Sequence, residues 1–262
     1  ASLAHLVARH ASLSGDYREA TGLCRRLIGE GYVADNAVRL GRIEQAKENY
    51  EGAIELYSRG LEAIGISGAD LQDPAFPIAF PSKSDAFQAM LGAGECHLKL
   101  RHWEEAGAYL KRASCIRAIS GRPYLGIGRL LLNQNRPRSA LNVFRMALRR
   151  TRGKDSAEIH LGMALACEER GMLIRAWQHC RKALQAAPDR KESLRVAERL
   201  APRAGSIKEL AEFYEKYLER RPGEVSTLFR MSGLCRQLGW HARARQMEER
   251  VILLSTSFGR TR

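Results

Sequence analysis

Apolar residues recur along this chain at spacings of three and four, in stretches of roughly 12 to 14 positions separated by short polar turns. That spacing places them on one stripe of a helix. The stripes themselves repeat: segments 1–34, 34–67, 87–120, 121–154, 157–190, 191–224 and 225–258 share one pattern with a period of 34. Each holds two amphipathic stretches joined by a turn. The expectation is an all-α fold in which one helical hairpin occurs seven times.

The recurring residues are those that a pair of closely packed helices requires. A small residue stands where the first helix crosses the second, at Ala8, Gly41, Gly94, Gly128 and Ala164, with Glu198 and Ser232 as departures. The turns carry Gly15, Gly171, Gly205 and Gly239, and elsewhere Glu48, Arg101 and Asn135. Glycine there suits the left-handed conformation that ends a helix. The second helix presents Ala20, Ala53, Ala106, Ala140, Ala176, Leu210 and Ala244. Four residues on stand Cys24, Tyr57, Leu110, Phe144, Cys180, Tyr214 and the departure Glu248. Pro202, inside a first helix, predicts a kink or an early end there.

"GKDSAEIHLGMALACEERGMLIRAWQHCRKALQAAP" and "AEFYEKYLERRP" end in Pro188 and Pro222, where a helix must stop. With the small residue, turn glycine, alanine, aromatic and terminal proline in phase, these strings resemble the tetratricopeptide repeat. The resemblance covers nearly the whole chain. It implies an α-solenoid, a right-handed superhelix of helix-turn-helix units whose first helices line a concave groove that takes partner peptides. The boundaries that follow are repeats 1 and 2 over 1–67, an insertion over 68–86, repeats 3 to 7 over 87–258 and a tail over 259–262. The insertion holds Pro74, Pro77 and Pro81, a density that excludes regular helix and predicts an exposed loop. Its Phe76, Ile78 and Phe80 allow the sharper reading that it folds back on a neighbouring groove.

Charge changes the picture in one half only. Residues 1–120 carry 14 Lys/Arg against 15 Asp/Glu, whereas 121–262 carry 29 against 14. The whole excess of the net +14 thus lies in the second half, which points to an acidic partner. At 45% hydrophobic and 27% charged the chain has the composition of a folded domain. No apolar run reaches the ~18 residues that span a bilayer.

Candidate chemistry is sparse. Cys24, Cys96, Cys167, Cys180 and Cys235 fall in or beside core slots and Cys115 near a helix end, with no C-x-x-C pair. All six read as small buried hydrophobes in a reducing compartment, giving a cytoplasmic or nuclear location as the expectation. His97, His102, His160 and His179 form no HExxH or similar ligand set, and "GIGRLLLNQ" lacks the strand that a phosphate loop needs. Neither an enzyme nor a bound cofactor or metal is expected. Trp103, Trp177 and Trp240 read as packing between repeats rather than as stacking platforms for bases.

Surfaces remain. The resemblance turns Arg9, Arg42, Arg122, Arg129, Arg195, Arg199 and Arg236 toward the groove, with Arg9, Arg42, Arg129 and Arg199 in one slot of four repeats. A file of guanidinium groups suits capture of carboxylates or phosphates. Alternatively these arginines pair with Asp35, Glu95, Glu158 and Glu192 of adjacent repeats. The Lys/Asn set with which chaperone-binding members hold a terminal carboxylate is not reproduced. A second basic surface is expected on the outer side, from Arg138, Arg145, Arg149 and Arg152 of "RPRSALNVFRMALRRTRGK". The function read from this is an interaction scaffold that binds an acidic or peptide segment of another protein within a complex. RNA binding through the basic half and a spacer subunit are the alternatives. Val251, Ile252, Leu253 and Leu254 mark an apolar edge suited to self-association.

Overall fold

The computed structural model describes residues 17–67, 70, 83–117, 119–151 and 156–258. Its contacts divide the chain into two compact units between Thr151 and Arg152.

The first unit contains α1 (Tyr17–Gly29) and then three hairpins. These are α2 (Val33–Ala46) with α3 (Tyr50–Glu62), α4 (Lys83–Lys99) with α5 (Trp103–Ile116), and α6 (Arg122–Asn133) with α7 (Pro137–Arg149). The second unit contains α8 (Ser156–Glu169) with α9 (Leu173–Ala186), α10 (Lys191–Arg203) with α11 (Ile207–Arg220), and α12 (Val225–Gln237) with α13 (His241–Phe258). These thirteen helices are the only regular elements among the described residues, and they fall in the register set by the period of 34.

One hydrogen bond closes the turn of every complete hairpin. The N–H of the residue after the turn position returns to a carbonyl five residues back: Asn49 to Glu44, His102 to His97, Arg136 to Leu131, Met172 to Cys167, Ser206 to Ala201 and Trp240 to Cys235. The residue between adopts positive φ in each case. Gly171, Gly205 and Gly239 do so at 70°, 71° and 74°, and Glu48, Arg101 and Asn135 at 63°, 63° and 55°. A side chain in that conformation costs about 1 kcal/mol against glycine. The six turns are therefore one geometry in two chemistries.

The core follows the stripe. Ala20, Ala53, Ala106, Ala140, Ala176, Leu210 and Ala244 are all buried, as are Cys24, Tyr57, Leu110, Phe144, Cys180 and Tyr214 four residues on. In the first unit one cluster joins Tyr57, Phe87, Met90, Leu91 and Leu110, and a smaller one joins Cys24, Leu27, Leu40 and Ile43.

Three expectations differ in detail. Helix α4 begins at Lys83, so residues 83–86 of the expected insertion form its first turn; no proline follows Pro81 to stop it. Helix α10 runs past Pro202 to Arg203, since a proline in the last turn forfeits only one hydrogen bond. Cys115 is exposed, not buried, because it lies beyond the stripe on α5. The readings on Arg9, Gly15, Phe76, Ile78, Phe80 and Arg152 lie outside the described residues.

Candidate partner-binding faces

In the first unit the first-helix face is organised around Glu95 on α4. The buried Tyr57 hydroxyl donates to Gln45 Oε1 at 2.8 Å, and Gln45 Nε2 donates in turn to Glu95 Oε2 at 3.2 Å. Arg122 reaches the other carboxylate oxygen at 3.4 Å. Burial pushes the Tyr57 hydroxyl far above its ordinary pKa, so it acts here only as a donor. Arg42, Arg122 and Arg129 are exposed. Asp35 is held one turn away by Arg39, at 2.7 Å.

In the second unit ion pairs run between the first helices of successive hairpins or the residues just before them. Arg199 donates to both oxygens of Glu168, at 2.8 and 2.7 Å, and Arg203 adds a third bond at 2.9 Å. Arg199 is the main reason the Glu168 carboxyl sits below its ordinary range. Arg190 holds Glu158 at 2.7 Å, Lys191 holds Glu224 at 2.9 Å, and Arg230 pairs with Glu198, which also accepts from the Tyr214 hydroxyl. Arg236 turns back onto Glu248 of its own hairpin. Glu198 and Glu248, which break the repeat pattern in sequence, are thus pairing groups.

The seven arginines expected on one groove consequently divide. Arg122, Arg199 and Arg236 are engaged by carboxylates, but only Arg122 takes one of those named from sequence, Glu95; Arg199 takes Glu168 and Arg236 takes Glu248. Arg195 is exposed and has no acidic partner among the described residues. It stands in a column that the sequence reading missed. Lys191, Arg195, Arg199 and Arg203 follow one another at intervals of four on α10, all on one side of the helix. The i, i+4 recurrence of basic residues was a signal available from sequence alone. Beside this column, α10, α11 and α12 enclose a pocket of about 90 Å³ bordered by Lys191, Arg195, Glu198, Tyr214, Tyr217 and Arg230.

On α7, Arg138, Arg145 and Arg149 are exposed. Arg145 donates to Asn142, and Arg150 donates to the Met146 carbonyl while its guanidinium lies 4.7 Å from the Tyr124 ring centre. A wider amphipathic cavity of about 600 Å³ lies between α5 and α6, bordered by Trp103, Lys111, Cys115, Ile127, Leu131 and Arg136. Trp177 is buried, and Trp240 lies under the Arg243 guanidinium. Ile252 and Leu253 are exposed on α13.

No group of three or more metal-ligating side chains occurs among the described residues. The histidines meet in two pairs, His97 with His102 and His160 with His179, each with Nδ1 atoms 3.4 Å apart. Burial lowers the pKa of His97 and of His160, which favours the neutral ring. Burial also pushes the Cys96 and Cys180 thiols up to about 12, which keeps these two protonated at neutral pH. Among the described residues no helix is long and apolar enough to cross a membrane.

Family comparison agrees with the hairpin geometry: tetratricopeptide-repeat models match residues 125–191 and 34–59. The chain carries tetratricopeptide repeats. A search of curated protein sequences gives no match. Solved structures similar to it include PilF of Pseudomonas aeruginosa, at 18% identity and a TM-score of 0.62, covering 86% of this chain and 94% of that one. PilW, a widely conserved type IV pilus biogenesis factor, aligns at 18% identity and a TM-score of 0.59, covering 84% and 92%. A thermophilic tetratricopeptide-repeat protein of Thermus thermophilus aligns at 21% and 0.56, covering 77% and 98%. At such identities the likeness is one of fold. Tetratricopeptide-repeat proteins are interaction scaffolds and in general carry no enzymatic activity.

Proposed function

We propose that this tetratricopeptide-repeat protein is a scaffold that binds an acidic segment of a partner protein on the first-helix face of residues 191–237. The observation that carries the proposal is the basic column of α10. Four cations at intervals of four span about 18 Å, at ~1.5 Å per residue, a length that an extended run of some five or six residues would follow. Three of the four are anchored on carboxylates, which fixes their positions, and Arg195 between them keeps its charge for a ligand. Charge of this kind steers an acidic chain to the face, and the exposed Phe229 on α12 offers an apolar contact beside it.

Charge reversal tests the proposal, and Arg195 is the position to reverse. Arg199 braces Glu168, so its reversal would change stability together with affinity. Arg195→Glu should weaken binding of an acidic peptide at least tenfold with an unchanged denaturation midpoint, whereas Arg138→Glu on α7 should leave binding intact. Equal loss in the two variants would place the partner on the outer face instead. Retention of duplex or single-stranded nucleic acid with a steep linear fall of log affinity against log salt would favour the nucleic-acid alternative.

A further inference from the structure

Helix α5 is small at a position where most other second helices are large. The residue after the core alanine is Ile54 on α3, Leu141 on α7 and Trp177 on α9, and Ala211 follows Leu210 on α11, but on α5 it is Gly107. Leu141 and Trp177 are buried and fill the space beside their helices. Gly107 instead lines the cavity of about 600 Å³ between α5 and α6. That volume lies within the span of roughly 300–1,000 Å³ common to small-molecule sites.

The walls are apolar and incompletely covered. Trp103, Ile127 and Leu131 border the cavity and remain half-buried, so an apolar body that displaces water from them is favoured. The lined stretch of α5, from Trp103 to Cys115, is about 18 Å long at ~1.5 Å per residue, which suits an elongated body better than a compact one. Charge gives that body a direction. At the turn end Glu104 and Arg136 offset each other, and Glu104 is the only carboxylate among the lining residues. Two helical turns further along α5, Lys111 is exposed and has no acidic partner among the described residues, with Arg112 lining the cavity beside it. One anionic head at Lys111 and an uncharged body reaching toward Trp103 match this arrangement.

We infer that the cavity is a site for a medium-chain fatty acid, whose carboxylate meets the Lys111 ammonium and whose chain runs between α5 and α6 across Gly107. It belongs to the first unit and rests on none of the α10 observations behind the acidic-segment reading.

Cys115 supplies the readout. It borders the cavity beyond Lys111 and is the one exposed thiol of the six, so a maleimide labels it in preference to the buried five. The test uses the full chain with decanoate below its micelle concentration, and with 1-decanol and decylammonium as neutral and cationic controls. Decanoate should slow the labelling of Cys115, and calorimetric titration should show it bound about tenfold more tightly than 1-decanol, the gain expected of one charged contact. Lys111→Glu should reverse the preference, so that decylammonium binds more tightly than decanoate. Gly107→Leu restores the side chain that α7 carries and should abolish binding while the denaturation midpoint holds or rises, since leucine favours helix over glycine. Its Cβ would stand 3.3 Å from Leu130 Cδ2, so the Leu130 side chain has to shift. Should that variant fold poorly, Ala108→Leu at a half-buried lining position fills the cavity instead and should abolish binding by itself. Four results overturn the site: Cys115 labelling unchanged by decanoate, 1-decanol bound as tightly as decanoate, wild-type decanoate affinity in Lys111→Glu, or decanoate binding that survives filling of the cavity. The second of these would make the occupant a neutral apolar group, and the last would place decanoate elsewhere on the chain.

Discussion

The two units of this protein hold the same hairpin together by different means. In residues 17–151 the joints are rings and leucines seated where glycine leaves space. A Cβ at Gly41 would come within 2.8 Å of the Tyr57 ring, and one at Gly94 or Gly126 within 2.8 or 2.7 Å of Leu110. At Gly128 it would overlap the Phe144 ring. In residues 156–258 the glycines at 171, 205, 223, 233 and 239 face open space. Successive repeats there carry a series of ion pairs, among them Arg199 and Arg203 on Glu168, Arg220 on Asp189 and Arg243 on Glu215, where the first unit's counterpart is Arg122 on Glu95. The difference shows that the period of 34 fixes where helices meet and leaves open what is exchanged at the meeting point. It also explains the uneven charge. Many arginines of the second half serve as ties, and a surface rich in ties needs few further cations to become a binding face.

The sharpest way to break the comparison is to empty or fill a socket. Phe144→Ala should lower stability by about 3–5 kcal/mol, and Gly128→Ala by about 1–3 kcal/mol, read from urea midpoints. A loss below 0.5 kcal/mol, an order-of-magnitude threshold, in Gly128→Ala would mean that the ring is not seated as described. Next in size is Glu168→Gln, which strips the charge from a mostly buried carboxylate bound by two arginines. About 1 kcal/mol is expected, since both arginines are half exposed and partly screened. Because the folded pKa of Glu168 lies below its ordinary 4.5, this contribution is complete above pH 4.5 and disappears as pH falls through the lower folded value. An acid limb of the stability curve unchanged by Glu168→Gln would remove Glu168 from the account. His97 and His160 act in the same direction at higher pH. Their folded pKa values lie below 6.5, so the unfolded chain takes up protons first, and stability should decline as pH drops below 6.5 and stay flat above it. His97→Gln with His160→Gln should flatten that window in thermal melts. The smallest effect is a gain: Gly233→Ala, within α12 and facing open space, should stabilise by up to about 1 kcal/mol. Destabilisation there would show that the second unit has sockets too.

Hairpin phase was readable from sequence because it follows from where small residues recur. Ala53 and Ala140 are fully buried, and their spacing survives in the string. Turn geometry was only half readable. Glycine at 171, 205 and 239 announces positive φ and Asn135 is compatible with it, whereas Glu48 and Arg101 adopt it with no residue-type signal. The candidate face was less legible still. Arg199 and Arg195 are the same residue type one turn apart, yet one is bound to Glu168 from 31 positions earlier and the other has no acidic partner among the described residues. A one-dimensional pattern gives the side of the helix, not the partner across it. Tyr217 was invisible for a related reason: its stripe position signals burial, but only the packed structure shows that its hydroxyl has nothing to donate to.

The socket joints carry a consequence for how this sequence can drift. Gly128 cannot grow while Phe144 keeps its ring, and Phe144 cannot shrink without leaving a void beside Gly128. Either change alone is a loss, and only a matched pair returns to the starting level. Substitutions at 128 and 144, and at 41 and 57, should therefore enter a lineage as couples. An ion-pair joint has no such lock, since a cation can move one turn along its helix and still reach the same carboxylate, as Arg199 and Arg203 already do on Glu168. The first unit is built to be inherited in pairs, and the second to be edited one residue at a time.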